Sequence, residues 1–314
     1  MNNKEKILQL RRNIYSQLSP IIGKKCILLD APYYHNIGDV LIWTGEECFF
    51  KDNGIDCLYT ASYETCEFPH ISLDTTIVFN GGGNLGDIYH EHMEFLLQVI
   101  KKYPNNRIIV CPQTVYYESQ TIFKEDFSQI AEHNDLYFCA RDKHVYELIH
   151  EVLGDKTLLV PDMAFCIDKD ILSLFIKPTV KNKLIIARND VEKSSENNTN
   201  KDGDISDWPV IEHSFRRTTF LNKLFKRIAD AKIPGITHVS NKIWNVYAPT
   251  FKKMMIKEGI EFISPYKEIE TARLHGCILS ILLDKSIILC DNSYGKNRNF
   301  YMTWLNDIDT LTLK

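Results

Sequence analysis

Arg273 and His275 stand immediately before a strongly apolar segment, residues 277–283. A segment of this kind is typical of a buried helix, so a guanidinium and an imidazole at its start indicate a cleft. A guanidinium can bind carboxylate or phosphate, and an imidazole can transfer protons near neutral pH. A lone histidine is more often structural, but the neighbouring arginine and the helix N-terminus favour a catalytic role for His275.

A second candidate is the glycine-rich segment Gly81–Asp87 (GGGNLGD) between a predicted strand and a predicted helix. Its glycines indicate a turn with positive φ or a ligand that touches the backbone. We therefore expect substrate contacts there, at Gly82, Gly83, Asn84 and Asp87. Three of the glycines match the G-x-G-x-x-G spacing, but no acidic residue ends a second strand about 20 residues on, so NAD binding is a weak interpretation.

Two further segments follow predicted strands. Asn36–Asp39 (NIGD) opens a helix, where Asn36, Gly38 and Asp39 can present free N–H groups to an anion; the alternative is that Asp39 is only an N-cap. Arg141 can direct its guanidinium at carboxylate or phosphate. The alternative for Arg141 is an ion pair with Asp142 or Asp162.

The elements that would position these residues form a regular alternation of short apolar runs and amphipathic helices. Continuous apolar runs predict strands covered on both faces by helices, and hence parallel sheets. The strands are predicted at residues 26–31, 75–80, 107–111, 136–140, 158–160, 183–187, 261–264 and 286–290, and the main helices at 40–51, 88–103, 218–231, 245–257 and 274–283. In such sheets, ligands bind at the carboxyl ends of the strands.

The predicted fold is therefore α/β, with two Rossmann-like domains, residues 1–170 and 171–314. The boundary is expected between Phe165 and Lys181, and the last helix can pack back on the N-terminal domain. Between the strands and helices of the second half, the polar stretch Val191–Asp207 predicts a mobile loop.

Composition excludes several classes of protein. The chain has 314 residues, a net charge of −4 and a pI near 6.2, which gives no broad basic surface for nucleic acid. Nine cysteines without a C-x-x-C pair argue against a disulfide framework or a zinc ribbon. No signal peptide or apolar span is visible, so we expect a cytoplasmic protein. His90 and His92 are badly spaced for one helical face, and no metal is expected.

Seven blocks in order resemble the polysaccharide pyruvyl transferase family, and the resemblance covers most of the chain. The blocks are NIGD (36–39), GGGNLGDIY (81–89), PQT (112–114), ARD (140–142), PDMAF (161–165), RLHG (273–276) and DNSYGK (291–296).

This resemblance implies a glycosyltransferase-B-like fold, with two Rossmann-like domains that face each other across a cleft. It implies transfer of pyruvate from phosphoenolpyruvate to a sugar hydroxyl pair as a cyclic ketal, with release of phosphate, during capsule or exopolysaccharide synthesis. The expected acceptor is a galactose-type sugar on a lipid-linked oligosaccharide or polymer. Such an acceptor would imply peripheral contact with the inner face of the membrane. Phosphoenolpyruvate is the co-substrate and no separate cofactor is expected.

The family's motif positions assign the catalytic histidine to His275 and cationic phosphoenolpyruvate contacts to Arg273, Arg141 and Lys296. Gln113 and Ser293 lie in family blocks and are expected to contact substrate. One position departs from the family's T-D-R-L-H-G pattern, because Ala272 replaces the aspartate. If that aspartate orients the histidine in relatives, another group must do so here, such as Glu270 or a backbone carbonyl.

Two other functions fit part of the same pattern. A nucleotide-sugar glycosyltransferase or epimerase of the same architecture would use the same helix N-termini and cations. A catalytically inactive saccharide-binding or scaffolding protein would have no reason to retain Arg141, Arg273, His275 and Lys296 together. The sequence does not indicate the acceptor sugar or the oligomeric state.

Overall fold

The computed structural model describes residues 1–187, 202–209, 236–292 and 295–314. Its strands are β1 (Lys25–Leu29), β2 (Asp56–Ala61), β3 (Thr75–Phe79), β4 (Gly82–Gly86), β5 (Ile108–Tyr116), β6 (Leu136–Ala140), β7 (Thr157–Leu159), β8 (Lys181–Ile186), β9 (Asp204–Ser206), β10 (Tyr266–Thr271), β11 (Ser286–Leu289) and β12 (Leu311–Leu313).

The α-helices in the described ranges are α1 (Asn3–Leu18), α2 (Ile37–Asn53), α3 (His90–Lys102), α4 (Gln120–Ala131), α5 (Lys143–Leu153), α6 (Lys169–Ser173), α7 (Ile236–Ile263), α8 (Leu274–Leu282) and α9 (Lys296–Phe300). Short 3₁₀ turns cover Gly154–Lys156 and Met163–Cys166, and a π-helical turn, Tyr301–Leu305, follows α9. No helix in the described ranges is long and apolar enough to cross a membrane.

The strands form two parallel sheets. The first has the order β2-β1-β3-β5-β6-β7, and β4 pairs in addition with β5. The second has the order β12-β11-β10-β8-β9, and every recorded strand pair in both sheets is parallel. This confirms the predicted α/β class with parallel sheets. Each sheet lies on one side of residue 170, and the division into two domains there stays a prediction.

The predicted strand at 261–264 is wrong, because its first three residues complete the long helix α7 and the strand β10 starts at Tyr266. The glycine segment is also not a plain loop, since Gly82–Gly86 pairs with β5. In the polar stretch Val191–Asp207, Asp204–Ser206 form strand β9 beside β8. Residues 191–201, like the predicted helix at 218–231, lie outside the described residues.

Helix α2 lies at the centre of the packing that positions the site. Every residue from Ile37 to Glu46 is buried, so the helix is covered on all sides. It contacts the Met163–Cys166 turn and the helices α7 and α8 of the second half of the chain. A side chain at Gly45 would overlap the carbonyl of Met163, so the helix and the turn touch through their backbones.

Candidate active site

A small cavity of about 150 Å³ lies between segments that belong to both sheets. It is lined by Asn36, Gly38, Asp39, Gly83, Asn84, Tyr89, Trp208, Arg273, Leu274, His275, Lys296 and Asn297, and we call it the cation pocket. Segments 36–39 and 273–275 follow strands β1 and β10, as expected for a ligand site at the carboxyl ends of parallel strands. Gly83 and Asn84 lie within β4, which begins shortly after the end of β3. The geometry therefore brings eight of the predicted site residues to one cavity.

The N-terminus of α2 forms one wall of the cation pocket. Its N-cap is Asn36, whose side-chain oxygen accepts hydrogen bonds from the N–H groups of Gly38 (2.9 Å) and Asp39 (3.4 Å). The predicted alternative, a capping role for Asp39, is therefore wrong. The Asp39 carboxylate instead accepts a hydrogen bond of 2.8 Å from the Tyr34 hydroxyl.

His275 rests directly on this helix N-terminus. A Cβ at position 38 would overlap the imidazole of His275, so only glycine permits this contact. Nε2 of His275 lies 3.3 Å from Oδ2 of the fully buried Asp162. The carboxylate thus fixes one ring nitrogen and the ring orientation.

Asp162 also contacts Arg141, which is fully buried. Nη1 of Arg141 lies 2.9 Å from the same carboxylate oxygen, and Nε and Nη2 donate to the Thr114 hydroxyl at 3.1 and 2.8 Å. Burial opposes the charge on Asp162, but the hydrogen bond from His275 and the charges of His275 and Arg141 hold its pKa well below the ordinary value. The ion-pair alternative for Arg141 is thus realised with Asp162, while Asp142 caps α5.

The charged ends of Arg141 and Lys296 approach each other at Gly83. A Cβ on Gly83 would lie 2.9 Å from Nζ of Lys296 and 3.4 Å from Nη2 of Arg141. Lys296 opens α9, and the next residue, Asn297, donates to the carbonyls of Ala272 and Cys290 at the ends of β10 and β11. The strand ends therefore fix the segment that carries Lys296.

Arg273 approaches the cation pocket from the N-terminus of α8. Its Nε and Nη2 lie 2.9 and 2.8 Å from Oδ1 of Asp207, which directly follows β9. The next residue, Trp208, lines the pocket. An arginine, a lysine and a histidine from the second half of the chain thus share one pocket with the N-terminus of α2 and Gly83.

Five predicted site residues are not among the lining residues of the cation pocket. Arg141 lies beside Gly83 in its ion pair with Asp162, and the other four are placed elsewhere or cannot be placed. Asp87 accepts hydrogen bonds from the N–H groups of Glu118 and Ser119, and Gln113 donates to the carbonyl of Asn80. Gly82 is not among the lining residues, although its backbone lies beside Asp39. Ser293 lies outside the described residues.

The suggestion that Glu270 orients His275 is wrong. Glu270 pairs with Lys183 (2.8 Å) and Lys314 (3.0 Å), and the orienting carboxylate belongs to Asp162. The sequence indicates Asp162 only as a possible partner of Arg141, because nothing in the sequence shows that residues 162 and 275 meet. The role of Asp207 was missed for the same reason.

A second cavity, of about 480 Å³, adjoins the cation pocket. We call it the tyrosine pocket; it is lined by Tyr33, Tyr34, His35, Asn36, Asp39, Ser62, Tyr63, Glu64, Asn84, Tyr89, Glu91 and His92. Four residues, Asn36, Asp39, Asn84 and Tyr89, line both cavities, so the two are contiguous. The Tyr34 hydroxyl, which lines the tyrosine pocket, joins two of these shared residues, because it donates to Asp39 and accepts from Asn84 at 2.7 Å.

The family model for polysaccharide pyruvyl transferase matches residues 36–294, a range that includes every side chain of the cation pocket except Lys296 and Asn297. The chain belongs to the polysaccharide pyruvyl transferase family. This membership confirms the predicted resemblance and supports pyruvate transfer in polysaccharide biosynthesis.

Curated relatives agree with the family assignment. The chain is 31% identical to the "Putative pyruvyl transferase EpsO" of Bacillus subtilis (strain 168), over 100% of this chain and 96% of the relative. It is 26% identical to "Pyruvyl transferase 1" of Schizosaccharomyces pombe (strain 972), over 90% of this chain and 70% of the relative.

A solved structure shares the fold. A functionally uncharacterized protein from Klebsiella pneumoniae matches with a TM-score of 0.61 and 21% identity, over 100% of this chain and 99% of that chain. At this level of identity the match shows the fold alone.

Proposed function

We propose that this pyruvyl transferase uses phosphoenolpyruvate as donor and forms a cyclic pyruvate ketal on a sugar hydroxyl pair, with release of phosphate, in surface-polysaccharide synthesis. The observation that carries the proposal is the convergence of Arg273, Lys296 and His275 on one cavity of about 150 Å³, with the buried Arg141 behind its wall at Gly83. Phosphoenolpyruvate is a small anion with a phosphate and a carboxylate, and both groups require charged donors once water is removed.

The reaction needs a proton donor and no redox step. His275 gives a proton to the methylene carbon of phosphoenolpyruvate, which leaves an electrophilic centre at carbon 2. A sugar hydroxyl attacks this centre and loses its proton, and a second hydroxyl then displaces phosphate and closes the ketal. The two hydroxyl protons are thus recovered as one methyl hydrogen and one proton on the released phosphate. Asp162 contacts Nε2 of His275 and orients the ring, whose Nδ1 faces Gly38 at the N-terminus of α2.

The competing function, transfer from a nucleotide sugar, receives less support from the cavities. The cation pocket is smaller than the roughly 300–1,000 Å³ of pockets that enclose drug-sized ligands. The neighbouring tyrosine pocket is larger, but Asp39, Glu64 and Glu91 line it, and these carboxylates would repel a diphosphate. An uncharged sugar fits that lining better. The contribution of both halves of the chain to the cation pocket further supports the glycosyltransferase-B-like arrangement that we propose.

The direct test incubates the protein with phosphoenolpyruvate and a panel of p-nitrophenyl galactosides, glucosides and mannosides. We expect phosphate release together with a mass gain of about 70 Da on one sugar. His275→Ala should abolish the release while the protein remains folded. Thermal stabilisation by nucleotide sugars, with none by phosphoenolpyruvate, would favour the alternative function.

A further inference from the structure

The Asp30–His92 pair lies at the tyrosine pocket and has no role in the proton transfer assigned to His275. Asp30 follows β1, at the carboxyl end of the first sheet, and His92 lies in the first turn of α3. Nδ1 of His92 is 2.9 Å from Oδ1 and 2.8 Å from Oδ2 of Asp30. Both side chains are buried, with 4% of Asp30 and 6% of His92 exposed.

The second ring nitrogen of His92, Nε2, can accept a proton. Nε2 has no hydrogen-bond partner among the described residues, and the ring lines the tyrosine pocket. The edges of Tyr34 and Tyr63 pack around the imidazole, with ring centroids at 6.4 and 4.9 Å. A carboxylate on Nδ1 keeps the proton of the neutral ring on that nitrogen, so Nε2 becomes the acceptor.

The backbone of Asp30 is held in an uncommon conformation. Its φ of 64° lies in the left-handed region, which residues other than glycine seldom occupy. Residues in such conformations cluster at functional sites, where the surrounding structure maintains them. Here the conformation places a carboxylate on the imidazole at the wall of a cavity contiguous with the cation pocket.

We propose that His92, positioned by Asp30, is the general base that removes a proton from the acceptor hydroxyl, and that the tyrosine pocket binds the acceptor sugar. This rests on the proposed function, in which that hydroxyl attacks carbon 2 of phosphoenolpyruvate. The O–H bond breaks, the C–O bond forms, and the proton moves to Nε2 of His92. It leaves with phosphate when the second hydroxyl displaces phosphate and closes the ketal, and the proton of that second hydroxyl restores the acid form of His275.

The lining of the tyrosine pocket fits a sugar. Aromatic side chains offer flat apolar faces to the C–H side of a pyranose, and Asn84, Ser62 and the acidic side chains can bond its hydroxyls. Asp39 also lines the pocket and is the alternative base, but its Oδ2 already accepts the Tyr34 hydroxyl proton. The acid, His275, thus lines the cation pocket, and the base, His92, lines the contiguous tyrosine pocket.

The groups around His92 set the pH at which this base works. Burial lowers the pKa of His92, but the charge and hydrogen bond of Asp30 raise it more, and the carboxylates of Glu91 and Asp39 act in the same direction. Tyr34 and Tyr63 pack against the ring as neutral groups, since burial raises the pKa of both phenols. A base must be neutral to accept a proton, so turnover should fall on the acid side of a midpoint above 6.5.

The test measures phosphate release at saturating phosphoenolpyruvate and the panel sugar that wild type uses best, together with calorimetric binding of phosphoenolpyruvate alone. We expect His92→Ala and His92→Gln to lower kcat by about 10²- to 10⁴-fold and to leave phosphoenolpyruvate affinity unchanged. His133→Ala is the matched control, because His133 is equally buried but bonds only to backbone groups of Tyr103 and Asp135. It should leave kcat near wild type.

Asp30→Asn tests the positioning role, because asparagine tolerates positive φ and removes only the charge. We expect kcat to fall by about 10- to 100-fold and the acid midpoint of the kcat profile to move to lower pH. Normal kcat in both His92 variants, or an unmoved midpoint in Asp30→Asn, would overturn the inference. A wild-type protein that binds no phosphoenolpyruvate and releases no phosphate would instead contradict the proposed function.

Discussion

Asp162 contacts two functional side chains of the site, Arg141 and His275. Its Oδ2 contacts both Nη1 of Arg141 and Nε2 of His275, so one carboxylate connects a strand of the first sheet to a helix of the second half. The sequence identified Arg141 and His275 individually but could not show this shared partner. The separation of 113 residues between Asp162 and His275 explains why no local pattern reveals it.

Asp162→Asn should therefore reduce both activity and stability. We expect kcat about 10- to 100-fold lower, since an amide cannot stabilise the charge on either partner. Because the pKa of Asp162 is depressed in the folded protein, its charge stabilises the fold above about pH 4. That contribution is lost as the pH falls through the folded pKa. Urea unfolding and phosphate release measure the two effects.

The matched control is Asp142→Asn, since asparagine caps α5 as well as aspartate does. It should retain near-normal kcat and stability. Equal losses in Asp162→Asn and Asp142→Asn would show that buried carboxylates in this region matter for folding alone.

Glu46 gives a separate prediction about pH. Burial raises the pKa of this carboxyl to about 8, although the N–H of Gly81 donates to Oε1 at 2.9 Å and acts in the opposite direction. The folded state thus holds a proton that the unfolded state releases above 4.5, so stability contributed by this group falls as pH rises from 4.5 to about 8. Glu46→Gln should remove that slope, as measured by urea unfolding at pH 5.5 and at about pH 8. An identical slope in the variant would contradict the assignment.

At the scale of elements, the sequence predicted most of the central strands of the two sheets but few of the edge strands. β1, β3, β6, β8, β11 and the first half of β5 were predicted, because central parallel strands are continuously apolar. The short edge strand β7 was predicted as well. The edge strands β2, β9 and β12 were missed, because edge strands need not be apolar on both faces. Strand β4 was missed because it consists largely of glycine, a poor strand former, and is formed by pairing with β5.

The boundary between helix α7 and strand β10 was also predicted wrongly. Helix α7 runs through Pro249 and continues to Ile263, although the apolar pattern at its end predicts a strand. A short apolar run fits a buried helix as well as a strand, and only length distinguishes them. The polar segments at the strand ends were easier to assign to the site, because parallel strands bring their carboxyl ends to one edge.

The contact of α2 with His275 gives a prediction at this scale. Gly38→Ala should displace the imidazole from its position on the helix N-terminus and lower kcat by about 10²-fold, the effect expected of a displacement near 1 Å. Gly23→Ala is the control, because a Cβ there meets Thr76 and Asp74 only at 3.4 and 3.5 Å. Phosphate release and thermal unfolding of both variants measure the difference. Full activity of Gly38→Ala would contradict the placement of His275.

At the scale of the whole molecule, the two sheets are joined by more than the chain between them. The indole N–H of Trp304 donates to the carbonyl of Arg141 at 2.7 Å, so the π-helical turn Tyr301–Leu305 contacts the segment that follows β6. Helix α1, from the first half of the chain, contacts the second sheet, because Asn3 donates to the carbonyl of Lys285 at the start of β11. These contacts join the two halves of the chain that contribute residues to the cation pocket.

Phosphoenolpyruvate should therefore protect both halves of the chain in hydrogen exchange. We expect slower exchange at residues 36–39 and 83–84 from the first half and at residues 273–276 from the second. The effect should follow the saturation of binding. Protection confined to one half would contradict a pocket built by both.

The most direct test of the account is a calorimetric titration of phosphoenolpyruvate into wild type, Lys296→Ala and Arg298→Ala. Both variants remove one cation from helix α9, but Lys296 lines the cation pocket, whereas Arg298 is exposed and pairs with Asp291 at 3.6 Å. We predict that Lys296→Ala weakens binding at least about 10-fold, as expected for a charged hydrogen bond of roughly 1.5–3 kcal/mol, while Arg298→Ala binds as wild type does. Equal affinity in all three proteins, or no binding to wild type, would contradict the assignment of the cation pocket to phosphoenolpyruvate.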